Sequence, residues 1–275
     1  MGTASGVLEV SPKLGDHVNS TANKVVAKVA AVVAVSGSVF VFPATSAITS
    51  PISVAALAEP QASPQDCKPH FVTHCYTKTN IQNYIDEVRP RIVEFFQASY
   101  HEAVPGPSDY RFIPEGPPMQ SACTNKDGSR IYLDAKAYDY CPDDQKVYLG
   151  QVSMWDLYYN DGEIAPAVAL AHEWGHDIQH RKGVREPKNP DESVRHENQA
   201  DCVAGAWIAY ADQRNWLKSE DVLTINKMLE DMARDEKVDR DHGTLEKRSK
   251  AMSLGIRRGL KACNEFDPTT PIIAS

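Results

Sequence analysis

The stretch AVALAHEWGHDIQH, residues 167–180, decides how this chain folds. Its first five residues are apolar without a break, which indicates that a helix formed here is buried. Pro166 suits the first turn of a helix and Gly183 suits the position after its end, so the pattern predicts a helix over residues 165–180. The polar residues in its second half then lie in a protein core, where polar groups require partners.

Two histidines in this helix have the spacing of a metal site. His172 and His176 are four residues apart, so both lie on one face, about 6 Å apart along the helix axis. Their imidazoles can therefore bind one Zn²⁺ at about 2.0–2.1 Å. Zinc lowers the pKa of a bound water toward about 7, and Glu173, beside the first histidine, can take its proton. The alternative is an ordinary amphipathic helix, but the apolar run before the histidines favours the metal.

The third ligand does not follow from the same helix. In the extended pattern H-E-x-x-H-x-x-G-x-x-H a glycine and a histidine follow, but this chain has Gln179 and Lys182 at those positions. His180 comes eight residues after His172, about 12 Å along a straight helix, so the two cannot share one metal ion. We expect His180 to be a surface histidine or one that supports the site from behind.

The next predicted helix offers the missing ligand in the run HENQAD, residues 196–201. Glu197 completes a site of two histidines and one glutamate with an open fourth position, the arrangement of catalytic zinc. Asp201, one turn later, can accept the free N–H of a ligand histidine. A solvated acidic pair is the alternative, but the small apolar run at 202–207 indicates burial, where two carboxylates need a cation nearby. The predicted ligands of one zinc ion are His172, His176 and Glu197, with Glu173 as catalytic base.

The six cysteines, an even number, predict disulfides in an exported protein. Free buried thiols are the alternative, and a cysteine zinc site is disfavoured because the chain has no C-x-x-C pair. Sequence proximity for the first two pairs, and elimination for the third, predict the disulfides Cys67–Cys75, Cys123–Cys141 and Cys202–Cys263.

The N-terminus carries a long uncharged segment at 29–58, with its most apolar part at 29–42. That part has about the length of a signal-peptide core, whereas a membrane span needs roughly 20 apolar residues. Ala-Leu-Ala at 56–58 fits a cleavage site, as does Thr-Ser-Ala at 45–47. The alternatives are a cleaved signal peptide and an uncleaved anchor over about 29–49. Either one places the rest of the chain outside the cytoplasm, secreted or membrane-anchored.

Composition and charge limit the classes of partner. Hydrophobic residues make up 42% and charged residues 24% of the 275 residues, which fits a globular protein. The formal net charge of -8 argues against nucleic acid, because phosphate binding needs clustered Lys and Arg. The sequence has no Gly-rich phosphate loop, so no nucleotide cofactor is expected.

The remaining pattern predicts strands before the central helix and further helices after it. A first helix covers residues 81–100, and Pro90 inside it can kink or split it. The helix with Glu197 is capped by Ser193 or Asp191 and runs to about residue 212. The predicted strands are 110–113, 130–133 and 145–149, and the last helices are 219–236 and 245–263. The predicted fold class is therefore α+β, with a mostly helical C-terminal half.

Four ordered pieces of the sequence resemble the putative neutral zinc metallopeptidase family of bacteria. They lie within about residues 123–263 and read CPDDQKVYL, ALAHEWGHDIQ, SVRHENQADCVAGAW and HGTLEKRSKAMSLGIRRGLKAC. Trp174 stands where the family has a smaller apolar residue, and residues 1–120 match poorly.

What the resemblance implies is a zincin-like fold, with a small sheet beside the HExxH helix. It also implies gluzincin-like zinc ligation, carried by His172, His176 and Glu197, with Glu173 as the base. His242 would lie near the site and stabilise the oxyanion.

We divide the chain into two parts on these grounds. Residues 1–58 comprise a disordered N-terminus plus a signal peptide or membrane anchor, with the apolar part at 29–49. Residues 59–275 form a zinc metallopeptidase domain with its core at about 67–266. The predicted activity is hydrolysis of peptide bonds in a peptide or protein substrate, without a covalent intermediate. A non-enzymatic, zinc-stabilised binding or scaffold module is the alternative, and an amidase is another zinc hydrolase that the sequence separates poorly.

Two further expectations concern the substrate. The strand at 146–150 could pair with an extended peptide by strand addition. A second donor should help zinc hold the oxyanion, and His242 is the first choice, followed by Tyr158 or Tyr159.

Overall fold

The structure is a computed structural model that describes residues 67–100, 109–125, 127–235 and 243–274. The predicted N-terminal segment at 1–58 lies outside these ranges. Within them, no helix is both long and apolar enough to cross a membrane.

The described chain runs from one helix through five strands to five more helices. The helices are α1 (Asn83–Tyr100), α2 (Gln151–Asp161), α3 (Ala165–Lys182), α4 (Pro190–Gln213), α5 (Ser219–Asp235) and α6 (Leu245–Arg258). The strands are β1 (Asp109–Ile113), β2 (Met119–Thr124), β3 (Arg130–Leu133), β4 (Tyr138–Cys141) and β5 (Lys146–Gly150). Short 3-10 helices cover Lys78–Asn80 and Leu260–Glu265. This order confirms a mixed α+β fold with small sheets and a mostly helical C-terminal half.

The main sheet has three strands in the order β1-β5-β4. β5 pairs with β1 in parallel and with β4 antiparallel, so both of its edges are occupied. The expectation that the strand at 146–150 pairs with a substrate is therefore wrong. Its run at 147–149 is buried throughout, and an unbroken buried run is typical of a central strand. β2 and β3 form a separate antiparallel hairpin.

Three elements were not predicted from the sequence, namely β2, β4 and α2. β4 has four residues, too few for a clear period, and it stands directly before the predicted turn at 141–144. α2 follows β5 without a turn, and its N-cap residue, Gly150, makes no side-chain hydrogen bond to it. A helix that begins without a capping side chain leaves no start signal in the sequence.

Three of the observed helices differ from the predicted ones in ways that have a physical reason. α1 continues past Pro90 as one helix rather than splitting. The cap of α4 is Asn189, which accepts the Glu192 backbone N–H, and Pro190 takes the first helical position. α6 ends at Gly259, whose φ of 71° suits glycine, and the chain continues as a 3-10 helix.

Close helix crossings position the two central helices. A Cβ on Gly175 of α3 would lie 2.9 Å from the Cα of Ala200 on α4, closer than such atoms can approach. A Cβ on Gly255 of α6 would lie 1.9 Å from the carbonyl oxygen of Cys202 on α4. α4 therefore packs tightly between α3 and α6, and it carries Glu197 and Asp201 of the predicted site.

All six cysteines form disulfides, and the predicted pairing is confirmed. The bonds are Cys67–Cys75, Cys123–Cys141 and Cys202–Cys263. The third joins α4 to the C-terminal 3-10 helix, 61 residues further along the chain. Three disulfides in one chain indicate a location outside the reducing cytoplasm.

Candidate metal centre

The structure brings the three predicted ligands of zinc together. The Nε2 atoms of His172 and His176 lie 3.1 Å apart, and Glu197 Oε2 lies 3.2 Å from the first and 3.4 Å from the second. Tetrahedral zinc with bonds of about 2.0–2.1 Å requires ligand atoms roughly 3.3–3.4 Å apart. The triangle therefore has the size that a zinc ion needs. Among the described residues, this is the one group of three such side chains that could hold a metal ion.

His172 is oriented by a carboxylate that is itself held by a buried arginine. The Nδ1 atom of His172 donates to Asp201 Oδ1 over 2.9 Å, as the sequence suggested. Arg248 of α6 donates to the same carboxylate from Nε and Nη2, each over 2.9 Å. The Arg248 side chain is only 2% exposed. This chain of contacts directs Nδ1 of His172 to Asp201 and turns its Nε2 toward the other two candidate ligands.

His176 is oriented by a second buried network, which the sequence reading did not find. Its Nδ1 donates to Gln179 Oε1 over 2.8 Å. The amide of Gln179 in turn donates to the His196 carbonyl and to Gln199 Oε1. Gln199 donates to the carbonyl of Cys263 over 3.0 Å. The residue at which the extended metal motif fails, Gln179, is therefore the one that holds the second histidine.

The electrostatics of the site favour a bound cation. Burial acts to lower the pKa of His172, but hydrogen bonds to Asp201 and Glu197 outweigh it and raise this pKa to about 10. Burial acts to raise the pKa of Asp201, but Arg248 and His172 bring it to about 2. The pKa of Glu197 also lies well below its usual value because His176 and His172 offset its burial. Both carboxylates are thus ionised, and a proton on His172 balances part of their charge.

We expect zinc binding at pH 7 to release roughly one proton or more per ion. His172, with a pKa of about 10, is protonated at pH 7 and must lose that proton before Nε2 can bind a metal. Since pH 7 lies below this pKa, each unit of further acidification should weaken zinc binding about tenfold. Calorimetric titration in two buffers of different ionisation enthalpy counts the released protons. A binding enthalpy that is the same in both buffers would contradict the assignment of His172.

Glu173 is buried beside the triad of candidate ligands, His172, His176 and Glu197, with 7% of the residue exposed. Burial raises its pKa to about 7, although His172 and His176 act to lower it. Its charge in turn helps to raise the pKa of Tyr138 on β4, after the larger effect of burial. A carboxyl group with a pKa near neutrality can both accept and return a proton at physiological pH.

The remaining histidine of α3, His180, lies away from the triad. Its Nδ1 is 3.1 Å from the hydroxyl of Tyr140, which donates to Asp177 Oδ1 over 3.0 Å. Arg181 donates to the other oxygen of Asp177 over 2.8 Å. This cluster fastens β4 to α3, and His180 is part of the contact between these two elements.

Of the three candidate oxyanion donors, the structure describes only Tyr158 and Tyr159. His242 lies outside the described residues. The hydroxyl of Tyr158 accepts the Tyr76 backbone N–H over 3.0 Å in a buried aromatic cluster, and Tyr159 packs beside Trp155. Neither tyrosine contacts a residue of the triad.

A further imidazole, which was not predicted from the sequence as part of the site, lies against His176. The ring of His196 stacks on that of His176, with centroids 5.2 Å apart and an angle of 17° between the planes. Burial, together with the charge of His176, lowers the pKa of His196 to about 4. The sequence did contain one signal that His196 lies near the site, because His196 directly precedes Glu197 in α4.

Comparison with known proteins agrees with this geometry. A family profile described as "Putative neutral zinc metallopeptidase" matches residues 120–264, more than half of the chain. No solved structure gives a significant match.

Two curated relatives share part of the sequence with this chain. It is 37% identical over 98 residues to the uncharacterized protein YpfJ of Escherichia coli (strain K12), which covers 30% of this chain and 34% of that protein. It is 37% identical over 82 residues to the uncharacterized protein Rv2575 of Mycobacterium tuberculosis (strain ATCC 25618 / H37Rv), covering 26% and 28% respectively. The chain spans about a third of the length of these relatives.

Proposed function

Because the chain belongs to the putative neutral zinc metallopeptidase family, we propose that it is a zinc-dependent peptidase that hydrolyses peptide bonds. The observation that carries the proposal is the triangle of His172, His176 and Glu197, whose sides of 3.1–3.4 Å fit tetrahedral zinc. The three disulfides support action outside the cytoplasm.

The ligand set supports a catalytic rather than a purely structural metal. Three protein ligands leave one position for a water or a substrate, whereas structural zinc sites close all four positions with protein groups. Zinc held by these residues would polarise a substrate carbonyl and make a water molecule acidic enough to attack it. The buried Glu173 beside the ligands also argues against the alternative of a non-enzymatic scaffold, because a scaffold needs no base.

Each neighbouring residue then has a role of its own. Glu173 accepts a proton from the attacking water and delivers it to the leaving amine, which its pKa of about 7 permits. Asp201 and Gln179 hold the ligand histidines in the tautomer that presents Nε2 to the metal. No side-chain nucleophile is required, so the reaction has no covalent intermediate.

The edge strand β4 is the element that would pair with an extended peptide. In the described chain β4 pairs with β5 on one side, and its other side has no strand partner in the main sheet. Tyr138 and Tyr140 connect β4 to α3, through hydrogen bonds to the Pro166 carbonyl and to Asp177. A peptide added to this edge would lie along the helix that carries the candidate base.

We expect the purified protein to hold about one zinc ion per chain, and Glu197→Ala to hold less than roughly a tenth as much. Removing Glu197 takes away one of three ligands and the charge that balances the metal. Elemental analysis after dialysis measures zinc directly, and Glu186→Ala, at an exposed residue of the loop before α4, is the matched control.

The outcomes of this experiment are distinct. Undiminished zinc in Glu197→Ala would mean that the third ligand lies elsewhere. No zinc in the wild type would remove the basis of the peptidase proposal. With zinc confirmed, hydrolysis of a peptide library that stops on chelation and returns with added zinc tests the activity itself.

A further inference from the structure

A cavity of about 510 Å³ lies beside the candidate metal centre. Its walls come from the loop after α3, the first turns of α4 and the segment after the C-terminal 3-10 helix. They include Val184, Arg185, Arg195, His196, Phe266 and Thr269. The volume falls within the range of about 300–1,000 Å³ that is usual for ligand sites.

One imidazole ring separates the cavity from a predicted zinc ligand. His196 lines the cavity, and the same ring stacks on that of His176 at 5.2 Å. Gln199 also lines the cavity, and it contacts Gln179, the residue that orients His176. A group bound in this cavity would therefore lie one imidazole ring away from the predicted zinc ligand His176.

The acidic groups of the cavity are already engaged by the protein. Glu192 accepts the Lys188 backbone N–H over 2.8 Å and lies 3.2 Å from Arg185 Nη2. Asp267 Oδ1 accepts the backbone N–H and the hydroxyl of Thr269. These contacts satisfy the carboxylates locally and also occupy Arg185.

Arg195 is different, because it forms no hydrogen bond or ion pair with any residue in the described part of the chain. Its charge acts on Glu192 from a distance, as a minor contribution to the lowered pKa of that carboxyl group. The guanidinium is exposed and lines the cavity. A guanidinium with unused donors matches the planar geometry of a carboxylate, and Val184 and Phe266 offer apolar wall for an aliphatic stem.

We propose that this cavity binds a carboxylate group of the peptide substrate through Arg195. The proposal rests on the proposed peptidase function and adds the chemical class of the group next to the scissile bond. The carboxylate can come from an acidic side chain or from the C-terminus of the substrate, since both present the same group to the guanidinium.

The test uses peptides that differ only in this group. Pairs carry Glu or Gln at the positions flanking the scissile bond, and each peptide is made with an amidated and with a free C-terminus. We expect the wild type to show kcat/KM about tenfold or more higher for the carboxylate-bearing member of a pair, as a charge-assisted bidentate contact provides. Arg195→Gln should remove this preference and Arg195→Glu should reverse it. Arg257→Glu, an equal charge change at an exposed residue of α6, is the control that should leave it intact.

A binding measurement separates this proposal from the peptidase function. Fluorescence anisotropy of the same peptides with zinc-loaded Glu173→Gln reports recognition without turnover. Equal affinity and equal cleavage of both members of every pair would overturn the cavity assignment and leave the peptidase standing. Carboxylate-dependent binding that requires Arg195, without cleavage of any peptide by the wild type, would support the cavity and reject the peptidase. A preference that follows the free C-terminus rather than Glu would identify the source of the carboxylate.

Discussion

Replacing Glu173 with glutamine is expected to reduce kcat/KM for peptide hydrolysis by about 10²–10⁴-fold while zinc stays bound, which is the usual contribution of a general base. Glutamine has the shape of glutamate but cannot accept a proton. Glu173 is not one of the three side chains whose ligand atoms converge, so the metal site is left intact. Because burial already raises the pKa of Glu173 to about 7, a neutral amide should be tolerated there without loss of folding. Kinetics with a fluorogenic peptide measure kcat/KM, and elemental analysis of the same sample measures the bound zinc.

The matched control is Asp177→Asn, the same carboxyl-to-amide change one turn further along α3. Asp177 is buried and bonds to Tyr140 and Arg181 rather than facing the triad. Its replacement can affect stability but should leave kcat/KM within about an order of magnitude of the wild type. Full activity in Glu173→Gln would remove the base from the proposed mechanism, whatever the zinc content.

Replacing Arg248 with alanine is expected to lower the free energy of unfolding by about 3–5 kcal/mol, the cost of breaking a buried ion pair by removing one partner. Asp201 would be left charged, 1% exposed and without the guanidinium that binds both of its oxygens. Urea denaturation of the metal-free protein with its disulfides intact measures the change. Arg214→Ala is the control, because its ion pair with Glu94 is exposed and should contribute less than about 1 kcal/mol.

The effect of Arg248→Ala should also depend on pH in a defined direction. The pKa of Asp201 is lowered from its ordinary value of 3.8 to about 2 in the folded protein. The stability that the ionised Asp201 contributes is therefore present above about pH 4 and is lost as the pH falls toward 2. The difference between wild type and Arg248→Ala should shrink over that interval. If Arg248→Ala lowers the free energy of unfolding at pH 7 by no more than Arg214→Ala does, the buried pair does not stabilise the fold.

The parts of the site that could be read from the sequence are those set by local helix geometry. His172 and His176 share a helix face because they are four residues apart, and the apolar run before them indicates burial. Glu197 could be inferred because it stands in the next helix, one turn before Asp201, which directly precedes a second small apolar run. The structure places these three side chains within reach of one ion, which the spacing alone could not establish.

The parts that could not be read depend on contacts between distant segments. Arg248 meets Asp201 across 47 positions of sequence, and Gln199 meets Cys263 across 64. A signal for the first did exist, because Arg248, Ala251, Met252 and Gly255 form one buried stripe of α6 in which an arginine must have an acidic partner. The strand order could not be predicted for the same reason, because β5 lies between β1 and β4, which both precede it in the chain.

The contacts of Arg248 and Cys263 also determine when, during synthesis, the centre can be completed. The ribosome makes the three candidate ligands before it makes Arg248, the partner of Asp201, and Cys263, the disulfide partner of Cys202. A nascent chain that stops before them has the ligands but leaves Asp201 without its counter-ion and Gln199 without its acceptor. The contacts that orient both candidate ligand histidines can therefore be complete only after Cys263 has been made.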